Sequence, residues 1–328
     1  MKIVHVHNVA YVATTLVDAL NSICDTDAIF FERKAYSVGL WTHLRNMISF
    51  KKLLKKEKPN IVHVHYLSTS LYALFARTEY VLHVHGSDIR GLSDNLKTCS
   101  IKEKLSRKFK IYVLKKAQLV FYSTPNLKVD VDTVRKDAIF IPNPVKIESH
   151  SKKEYEFKDN KINILFFAAL WERKGADIVF PALKELNDIY GVKINIVCLN
   201  FGYQKDNYNK YEFVNYIGKV PHKDINKLIS QFDIIIGQLK VGAIGVSELE
   251  VMMHGIPLVS NFRYNEFYSE ECPLISCDNS ADVVKEVQKL IENIELRKEV
   301  AEKQLEWVNR YHSDMNVALK LLDIYNTI

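Results

Sequence analysis

The segment that begins at Gln238 carries residue types that bind a phosphorylated nucleoside. It follows an apolar run at 233–236 that predicts a strand, and a helical pattern follows its glycines, so the glycines lie in a strand-to-helix loop. Backbone N–H groups in the first turn of a helix attract phosphate oxygens, and glycines let a ligand approach the backbone closely. Glu250, inside the helix, can accept hydrogen bonds from the paired hydroxyls of a ribose. The candidate residues of this loop and helix are Gln238, Gly242, Gly245, Val246 and Glu250.

Two adjacent cations stand at the start of another predicted helix. Arg173 and Lys174 directly precede Gly175, where a helical pattern that runs to Tyr190 begins. A cation at a helix N-terminus is unfavourable unless an anion is bound there. A departing nucleoside diphosphate needs positive charge where its own negative charge develops. The pair therefore predicts a diphosphate site, and the alternative is an exposed couple at the start of a helix.

One pentapeptide occurs three times in nearly the same form, at 3–7, 61–65 and 81–85. The period of a strand places the two histidines of each copy on one face, with the last histidine at the carboxyl end. Three such imidazoles at one sheet edge could bind a transition metal. The alternative is three similar strands of one sheet, with the edge histidines His65 and His85 lining a ligand site. We expect the second arrangement and no metal.

Elsewhere strand and helix patterns alternate almost without interruption. Continuous apolar strands such as 61–65 alternate with amphipathic helices such as 41–57, which ends at Lys58-Pro59. The pattern breaks at Pro142-Asn143-Pro144, a lysine-rich linker is predicted at 149–161, and the alternation then starts again. The sequence therefore predicts an α/β protein with two doubly wound, Rossmann-like domains. Their ligand cleft is expected at the carboxyl edges of both sheets, between the domains.

Four segments resemble, in the right order, the signatures of glycosyltransferase family 4, the group 1 transferases with the GT-B fold. The ordered set spans most of the chain, and it is more specific than any of its members. The segments are His85-Gly86-Ser87-Asp88 for H-G-x-D, Ile141–Val145 for I-P-N-G-V, Phe167–Gly175 for V-G-R-L-x-x-x-K-G and Glu250–Val259 for E-A-M-A-x-G-x-P-V.

The resemblance implies a transferase that moves a sugar from a nucleotide-diphosphate sugar to an acceptor hydroxyl, with retention, in the synthesis of a cell-surface glycan or glycolipid. It implies no metal and no cofactor, since the donor is a substrate. It places the acceptor in domain 1–148, onto which a C-terminal helix at 312–328 packs back, and the donor in domain 149–311. The residues implied for catalysis are His85 and Asp88; those for the acceptor and cleft are Asn8, Ala10, Tyr11, His65 and Gly86.

Three departures from the family pattern concern this expected site. The first Glu of the family's E-x7-E falls on Gly242, the Arg of its G-R-L falls on Ala169, and its glycine-rich loop after the first strand is replaced by Asn8–Ala13. These changes leave a second function open, that of a non-catalytic GT-B subunit that stabilises a partner transferase. A dinucleotide-dependent oxidoreductase is disfavoured because no G-x-G-x-x-G follows the first strand.

The charge of the chain is divided unevenly. Residues 1–150 carry 23 Lys and Arg against 13 Asp and Glu, and the remaining residues carry 22 against 26, within a net charge of +6. In the basic helix predicted at 100–116, apolar residues such as Ile101, Leu105 and Tyr112 recur at helical spacing, so we expect them to pack inward and the lysines to face outward. Such a basic face is either solvated or bound to an anionic membrane that carries a lipid-linked acceptor. We expect no nucleic acid partner.

The compartment is inferred from the cysteines and the apolar runs. The five cysteines are scattered and form no C-x-x-C pair, which indicates reduced thiols. No apolar run approaches the roughly 18 residues of a membrane-spanning helix, and the N-terminus has no signal-peptide pattern. We therefore expect a cytoplasmic protein that can attach peripherally to the inner face of the membrane.

Overall fold

The computed structural model describes residues 1–32, 39–94, 100–146 and 161–328. They form two compact units, of which the first comprises Met1–Lys146 and His312–Ile328 and the second ends at Tyr311. The linker predicted at 149–161 lies outside the described residues except for Lys161, and so does Cys99. Each unit is an α/β structure built around one parallel six-stranded sheet.

The sheet of the first unit has the strand order β2-β1-β3-β4-β5-β6, and all its pairs are parallel. Its strands are short apolar runs buried by helices on both faces, as is usual for parallel sheets. They are β1 (Lys2–Val6), β2 (Asp27–Phe31), β3 (Ile61–His65), β4 (Val81–Val84), β5 (Leu119–Tyr122) and β6 (Ile139–Phe140). The helices are α1 (Val12–Asn21), α2 (Leu40–Glu57), α3 (Ser70–Ala76), α4 (Ile101–Lys116), α5 (Lys128–Val131) and the last helix of the chain, α12 (Asp314–Tyr325).

The direction of each crossover decides which face of this sheet a helix covers. Right-handed crossovers that run from β2 towards β6 place α2, α3 and α4 on one face. The crossover from β1 to β2 runs the other way, so α1 lies on the opposite face, where α12 packs against it. The C-terminal helix therefore belongs to the first unit.

The sheet of the second unit has the order β12-β11-β10-β7-β8-β9, again with parallel pairs. Its core is made of buried apolar side chains such as Ile164, Phe166 and Phe180, and α6 packs on α10. The strands are β7 (Ile162–Phe166), β8 (Ile194–Leu199), β9 (Val214–Ile217), β10 (Ile234–Ile236), β11 (Leu258–Ser260) and β12 (Ile275–Ser276). The helices are α6 (Ala176–Tyr190), α7 (Lys205–Tyr208), α8 (Ile225–Ile229), α9 (Val246–Met253), α10 (Ser280–Glu292) and α11 (Ile294–His312).

Helix α4 departs from the arrangement expected of it. It begins with a capping box in which Ser100 and Glu103 satisfy each other's backbone N–H groups. Its apolar side chains do not all pack inward, because Ile101 is 78% exposed, Leu105 is 63% exposed and Tyr112 is half exposed. That expectation was wrong, since the first six residues of α4 are all exposed and only the end of the helix is buried. Among the described residues no helix is long and apolar enough to cross a membrane.

Candidate functional site

Glu248 is the centre of a buried hydrogen-bond network between β10 and α9. Its Oε1 accepts hydrogen bonds from the backbone N–H of Gln238 at 2.9 Å and from the hydroxyl of Ser260 at 2.5 Å. Its Oε2 accepts them from Nε2 of Gln238 at 2.9 Å and from the N–H of Gly245 at 2.8 Å. Burial raises the pKa of the Glu248 carboxyl, and these donors and the charge of Lys174 oppose that shift. The network fixes the loop onto the first turn of α9.

The glycines around this loop have different physical roles. A Cβ atom at Gly237 would lie 2.2 Å from Oε1 of Glu248, so only glycine lets the carboxylate reach its partners. Gly242 has a φ of +70°, in the left-handed region that favours glycine. Gly245 has a φ of −89°, which any residue adopts, and a Cβ there would meet nothing closer than 3.5 Å. Its missing side chain leaves the start of α9 uncovered.

The two predicted cations are held differently. The ammonium of Lys174 donates a hydrogen bond to Oε1 of Gln238 and so joins the network around α9. The guanidinium of Arg173 is exposed and lies over the ring of Trp171, 5.6 Å from its centroid. Lys174 therefore stands fixed beside the loop, whereas Arg173 is held mainly by a surface cation–π contact.

Glu250 lies two residues beyond Glu248, on a different side of α9. Its Oε1 is 2.8 Å from Nε2 of His222, which belongs to a turn of 3-10 helix at His222–Asp224 just before α8. The Glu250 side chain is 17% exposed, whereas Glu248 is buried. Successive residues of a helix are rotated by about 100°, so the two carboxylates face different surroundings. Glu248 supports the loop, whereas Glu250 is partly exposed and pairs with His222.

In the first unit, the loop after β4 is folded around Asp88. Its Oδ1 accepts hydrogen bonds from the N–H groups of His85 at 3.1 Å and Gly86 at 2.9 Å, and its Oδ2 accepts one from the N–H of Leu67 at 3.0 Å. Burial raises the pKa of Asp88, and the backbone donors oppose the shift. Gly86 has a φ of +123°, which favours glycine. Both oxygens of Asp88 thus hold the loop that carries His85.

The loop after β1 adopts left-handed backbone conformations without glycine. The values of φ are +74° at His7, +47° at Ala10 and +62° at Tyr11. A non-glycine residue in this conformation lowers the free energy of unfolding by about 1–3 kcal/mol. The conformation persists only where the surrounding structure enforces it, most often at functional sites. Nδ2 of Asn8 donates to Oγ1 of Thr14 at 3.0 Å, which ties the loop to α1. The loop after β1 is therefore held in this shape by contacts with α1.

Histidines of the three repeated pentapeptides form one stack on a face of the first sheet. His5 pairs in register with His63, and His65 pairs with His83, so their side chains share a face. The angles between neighbouring ring planes are 5–32°. Burial lowers the pKa of His5 and His85 to about 3 and that of the other three well below 6.5. The rings are neutral at physiological pH.

Two overlapping groups in this stack have ring nitrogens within 4.8 Å of one another: His5, His63 and His65, and His65, His83 and His85. Neutral imidazoles are good ligands for transition metals, but their lone pairs lie in the ring planes. The rings of His63 and His65 are stacked with 5° between their planes and 4.3 Å between their centroids. Their lone pairs therefore lie in separate planes, and these rings do not converge on one ion as they stand.

The structure brings the predicted residues together within each unit. His65, His85, Gly86 and Asp88 lie at the carboxyl ends of the neighbouring strands β3 and β4, and Asn8, Ala10 and Tyr11 follow β1, the other neighbour of β3. Lys174, Gln238, Gly245 and Val246 lie around Glu248, and Gly242 and Glu250 lie in the same loop and helix. Sequence reasoning did not select Gly237, Ser260 or His222. Only Gly237 has a local signal, because it ends an apolar strand run.

Two family models match the chain, over two separate ranges of residues. A model described as glycosyl transferase 4-like matches residues 3–124, and a model described as glycosyl transferase-like matches residues 173–323. The first match includes the loops after β1, β3 and β4, and the second includes Lys174 and the whole network around Glu248. No curated protein sequence matches the chain.

Several solved structures share the fold at low sequence identity. HepE from Anabaena, solved with UDP and glucose, has a TM-score of 0.70 and 13% identity, with 100% of both chains covered. Sucrose-phosphate synthase from Thermosynechococcus elongatus has a TM-score of 0.71 and 12% identity, with 100% of this chain and 98% of the other covered. UDP-GlcNAc 2-epimerase from Neisseria meningitidis has a TM-score of 0.58 and 17% identity, with 100% of both chains covered. A synthase and an epimerase share this architecture, so the likeness concerns the fold.

Proposed function

Because this chain is built of two glycosyltransferase domains of the family 4 type, we propose that it moves a sugar from a nucleotide-diphosphate sugar to an acceptor hydroxyl in the synthesis of a cell-surface glycan or glycolipid. The observation that carries the proposal is the network of Lys174, Gln238 and Glu248. The network holds the ammonium of Lys174 and the N-terminus of α9 at the same loop, and both would stabilise the negative charge of a bound diphosphate.

We assign the donor to the second unit. The diphosphate contacts the ammonium of Lys174 and the first-turn N–H groups of α9 near Val246, with Arg173 as an additional cation. The ribose hydroxyls bind Glu250, the accessible carboxylate of that helix. HepE was solved with UDP, so a UDP-sugar is the first donor to test.

We assign the acceptor and the second half of the reaction chemistry to the first unit. His85 contacts the transferred sugar or the acceptor hydroxyl as a neutral imidazole, since burial lowers its pKa to about 3. Asp88 keeps His85 in place through the backbone. In a retaining transfer of this kind the leaving phosphate takes the acceptor proton, which leaves His85 to orient and hydrogen-bond. Asn8, Ala10, Tyr11, His65 and Gly86 shape the rest of this acceptor site.

The acceptor is lipid-linked, and the first unit binds the anionic inner face of the membrane that carries it. Helices α2, α3 and α4 cover one face of the sheet and expose large apolar side chains, and α2 and α4 also carry lysines. We call this surface the apolar–basic face. On α2 the apolar residues fall at helical spacing, and Nζ of Lys51 lies 5.7 Å from the ring centroid of Phe75 on α3. The exposed apolar residues are Trp41, Leu44, Ile48, Leu71, Phe75, Ile101, Leu105 and Tyr112.

This mixture suits an anionic bilayer better than water alone. Apolar side chains can enter the headgroup region while the surrounding lysines pair with lipid phosphates. Each basic residue near such a surface contributes about 1 kcal/mol, so four or five lysines suffice for reversible attachment without a spanning helix.

The decisive experiment is a thermal-shift screen with UDP, GDP and ADP, followed by assays of donor hydrolysis and transfer. A ligand that binds only the folded state raises Tm. We expect one nucleoside diphosphate to raise Tm and the matching nucleotide sugar to be turned over. Nucleotide binding without turnover of any matching sugar would favour a non-catalytic subunit instead, and the absence of any Tm shift would refute the donor site.

A further inference from the structure

We propose that His65 and His5 are positioning residues for the transfer reaction, because the hydrogen-bonded series His5–His65–His85 fixes which nitrogen of His85 carries its proton. The inference rests on the proposed function, since it takes His85 to contact substrate. His65 ends β3, the neighbour of the strand β4 that leads to His85, and His5 lies one strand further away, on β1. His5, the deeper of the two, need never touch the ligand.

The series is continuous across three strands. Nδ1 of His5 is 3.0 Å from Nε2 of His65, and Nδ1 of His65 is 3.0 Å from Nε2 of His85. Both ring nitrogens of His65 are therefore engaged, one with each neighbour. His5 and His65 are fully buried, so no bulk water competes for these bonds.

A series of neutral imidazoles can hold its protons in only one order at a time. Each neutral ring has one N–H donor and one acceptor nitrogen. If His5 donates to His65, then His65 must donate to His85. The reverse order would place the proton of His5 on Nε2, which is buried without a hydrogen-bond partner among the described residues, so the first order is favoured. The choice at His85 is thus coupled to the whole series, and a protonated ring, which donates on both sides, would break it. Burial that keeps the rings neutral keeps the series intact.

The consequence for the site concerns the other nitrogen of His85. Because Nε2 of His85 is occupied by His65, substrate meets Nδ1, and Nδ1 has the hydrogen-bonding character opposite to that of Nε2. The series fixes in advance whether Nδ1 donates or accepts a hydrogen bond, and it fixes the ring plane. The activation free energy then need not include the entropy of orienting the ring. The same logic holds for catalytic histidines whose second nitrogen is held by a carboxylate or carbonyl.

His83 supplies a matched control within the same stack. Its ring lies 5.4 Å from that of His65 and 4.4 Å from that of His85, between centroids, and it is fully buried. Neither of its ring nitrogens has a hydrogen-bond partner among the described residues. It therefore shares the packing of the series but not its hydrogen bonds.

The test compares His65→Leu, His65→Asn and His83→Leu with the wild type, together with His85→Ala. Kinetics with saturating donor would give kcat and KM, and 15N spectra of ring-labelled histidine would report the tautomer of His85. An Asn amide can occupy the place of Nδ1 and keep the contact to His85. We expect His65→Leu to lower kcat by about 10- to 100-fold with little change in KM for donor, His65→Asn to recover part of the loss, and His83→Leu to retain kcat.

The spectra make the outcome independent of folding and of activity. We expect one neutral tautomer of His85 in the wild type and in His83→Leu, and a mixture in His65→Leu. An unchanged tautomer in His65→Leu, or an equal loss of kcat in His83→Leu, would overturn the positioning role. If His85→Ala retains full turnover, the role of His85 in the proposed function is refuted. The coupling of the rings is still supported in that case if the tautomer of His85 becomes mixed in His65→Leu.

Discussion

The ammonium of Lys174 donates a hydrogen bond to the side-chain carbonyl of Gln238, a residue 64 positions later in the chain. The bond joins the start of α6 to the loop that opens α9, so a cation and a helix N-terminus meet at one place. It is a direct contact between two segments that sequence patterns marked separately. We proposed this place as the donor site, and nucleotide binding by variants tests the proposal.

Replacement of Lys174 by alanine should weaken binding of a nucleoside diphosphate far more than binding of the nucleoside. Hydrogen bonds to charged groups contribute about 1.5–3 kcal/mol, so we expect UDP affinity to fall by about 10- to 100-fold. Isothermal titration with UDP and with uridine would measure both. Lys240→Ala is the matched control, because Lys240 lies in the same loop but pairs with Asp177 at 2.5 Å. Equal losses for UDP and uridine would contradict a diphosphate role.

The two carboxylates of α9 should respond to substitution in opposite ways. Glu250→Ala should reduce nucleoside affinity and leave Tm nearly unchanged, because Glu250 is partly exposed at the site. Glu248→Ala should lower Tm strongly, because it leaves buried donors unpaired at about 1–3 kcal/mol each. Calorimetric unfolding and nucleotide titration of both variants would distinguish them. Normal nucleotide binding by Glu250→Ala would show that the ribose binds elsewhere.

The first unit should lose stability on mild acidification. Folding lowers the pKa of the five stacked histidines, and it lowers the pKa of His312 to about 4. Below pH 6.5 the unfolded state therefore binds more protons, so stability is fully present above pH 6.5 and falls as the pH falls towards 3 or 4. Each histidine contributes about 1.4 kcal/mol per pH unit in that window.

Six such groups titrate in the same window, so their destabilising effects accumulate as the pH falls. We therefore expect Tm to fall as the pH is lowered from 6.5, although Asp88, whose pKa is raised, opposes the trend. Tm measured by circular dichroism from pH 8 to pH 4.5 tests this, and His83→Leu should give a shallower dependence because it removes one titrating group. A Tm that is the same at pH 7.5 and pH 5 would exclude the mechanism.

The apolar–basic face should bind anionic vesicles reversibly and in a salt-dependent way. Reversal of three exposed charges in Lys108/Lys115/Lys116→Glu should lower the bound fraction by more than tenfold, at about 1 kcal/mol per residue. Salt should weaken binding because charges are screened over about 10 Å at 0.1 M. Co-sedimentation with vesicles of anionic and of zwitterionic lipid would measure both effects.

Controls for this experiment come from both units. Lys289/Lys298/Lys303→Glu makes the same charge change on helices of the acidic second unit, where each lysine pairs with a neighbouring glutamate, and it should leave vesicle binding intact. Ile101/Leu105→Ser should weaken binding at all salt concentrations, because it removes exposed apolar contacts rather than charge. Wild-type protein that ignores anionic vesicles at low salt would make a soluble acceptor the better proposal.

The positions of strands and helices could be predicted wherever a short segment shows the apolar periodicity of a strand or a helix. The strand expected at 61–65 is observed as β3 (Ile61–His65), and the helix expected at 41–57 is observed as α2 (Leu40–Glu57). Glycine and proline bound these segments, and their apolar residues repeat at the right period. Strand β12 has two residues, too few to show any period, and it was missed.

Contacts between distant segments could not be predicted in the same way. The bond between Glu250 and His222 joins two helical turns that no common pattern links. Glu248 is polar, and its sequence pattern did not mark it as buried. Its carboxylate is buried because four hydrogen-bond donors, from Gln238, Gly245 and Ser260, surround it. Periodicity in α4 revealed an apolar stripe but not whether a neighbour covers it.

The position of α12 has a consequence for how the protein is made. The first unit is complete only when Tyr325 packs against His63 and α12 lies on α1. The ribosome must therefore synthesise the whole second unit before the first can finish folding, which takes on the order of ten seconds at about 5–20 residues per second. During that interval the histidine face of the nascent first sheet lacks its final helix. Chaperone dependence and premature termination near the C-terminus are thus expected to affect the first unit, although it is encoded first.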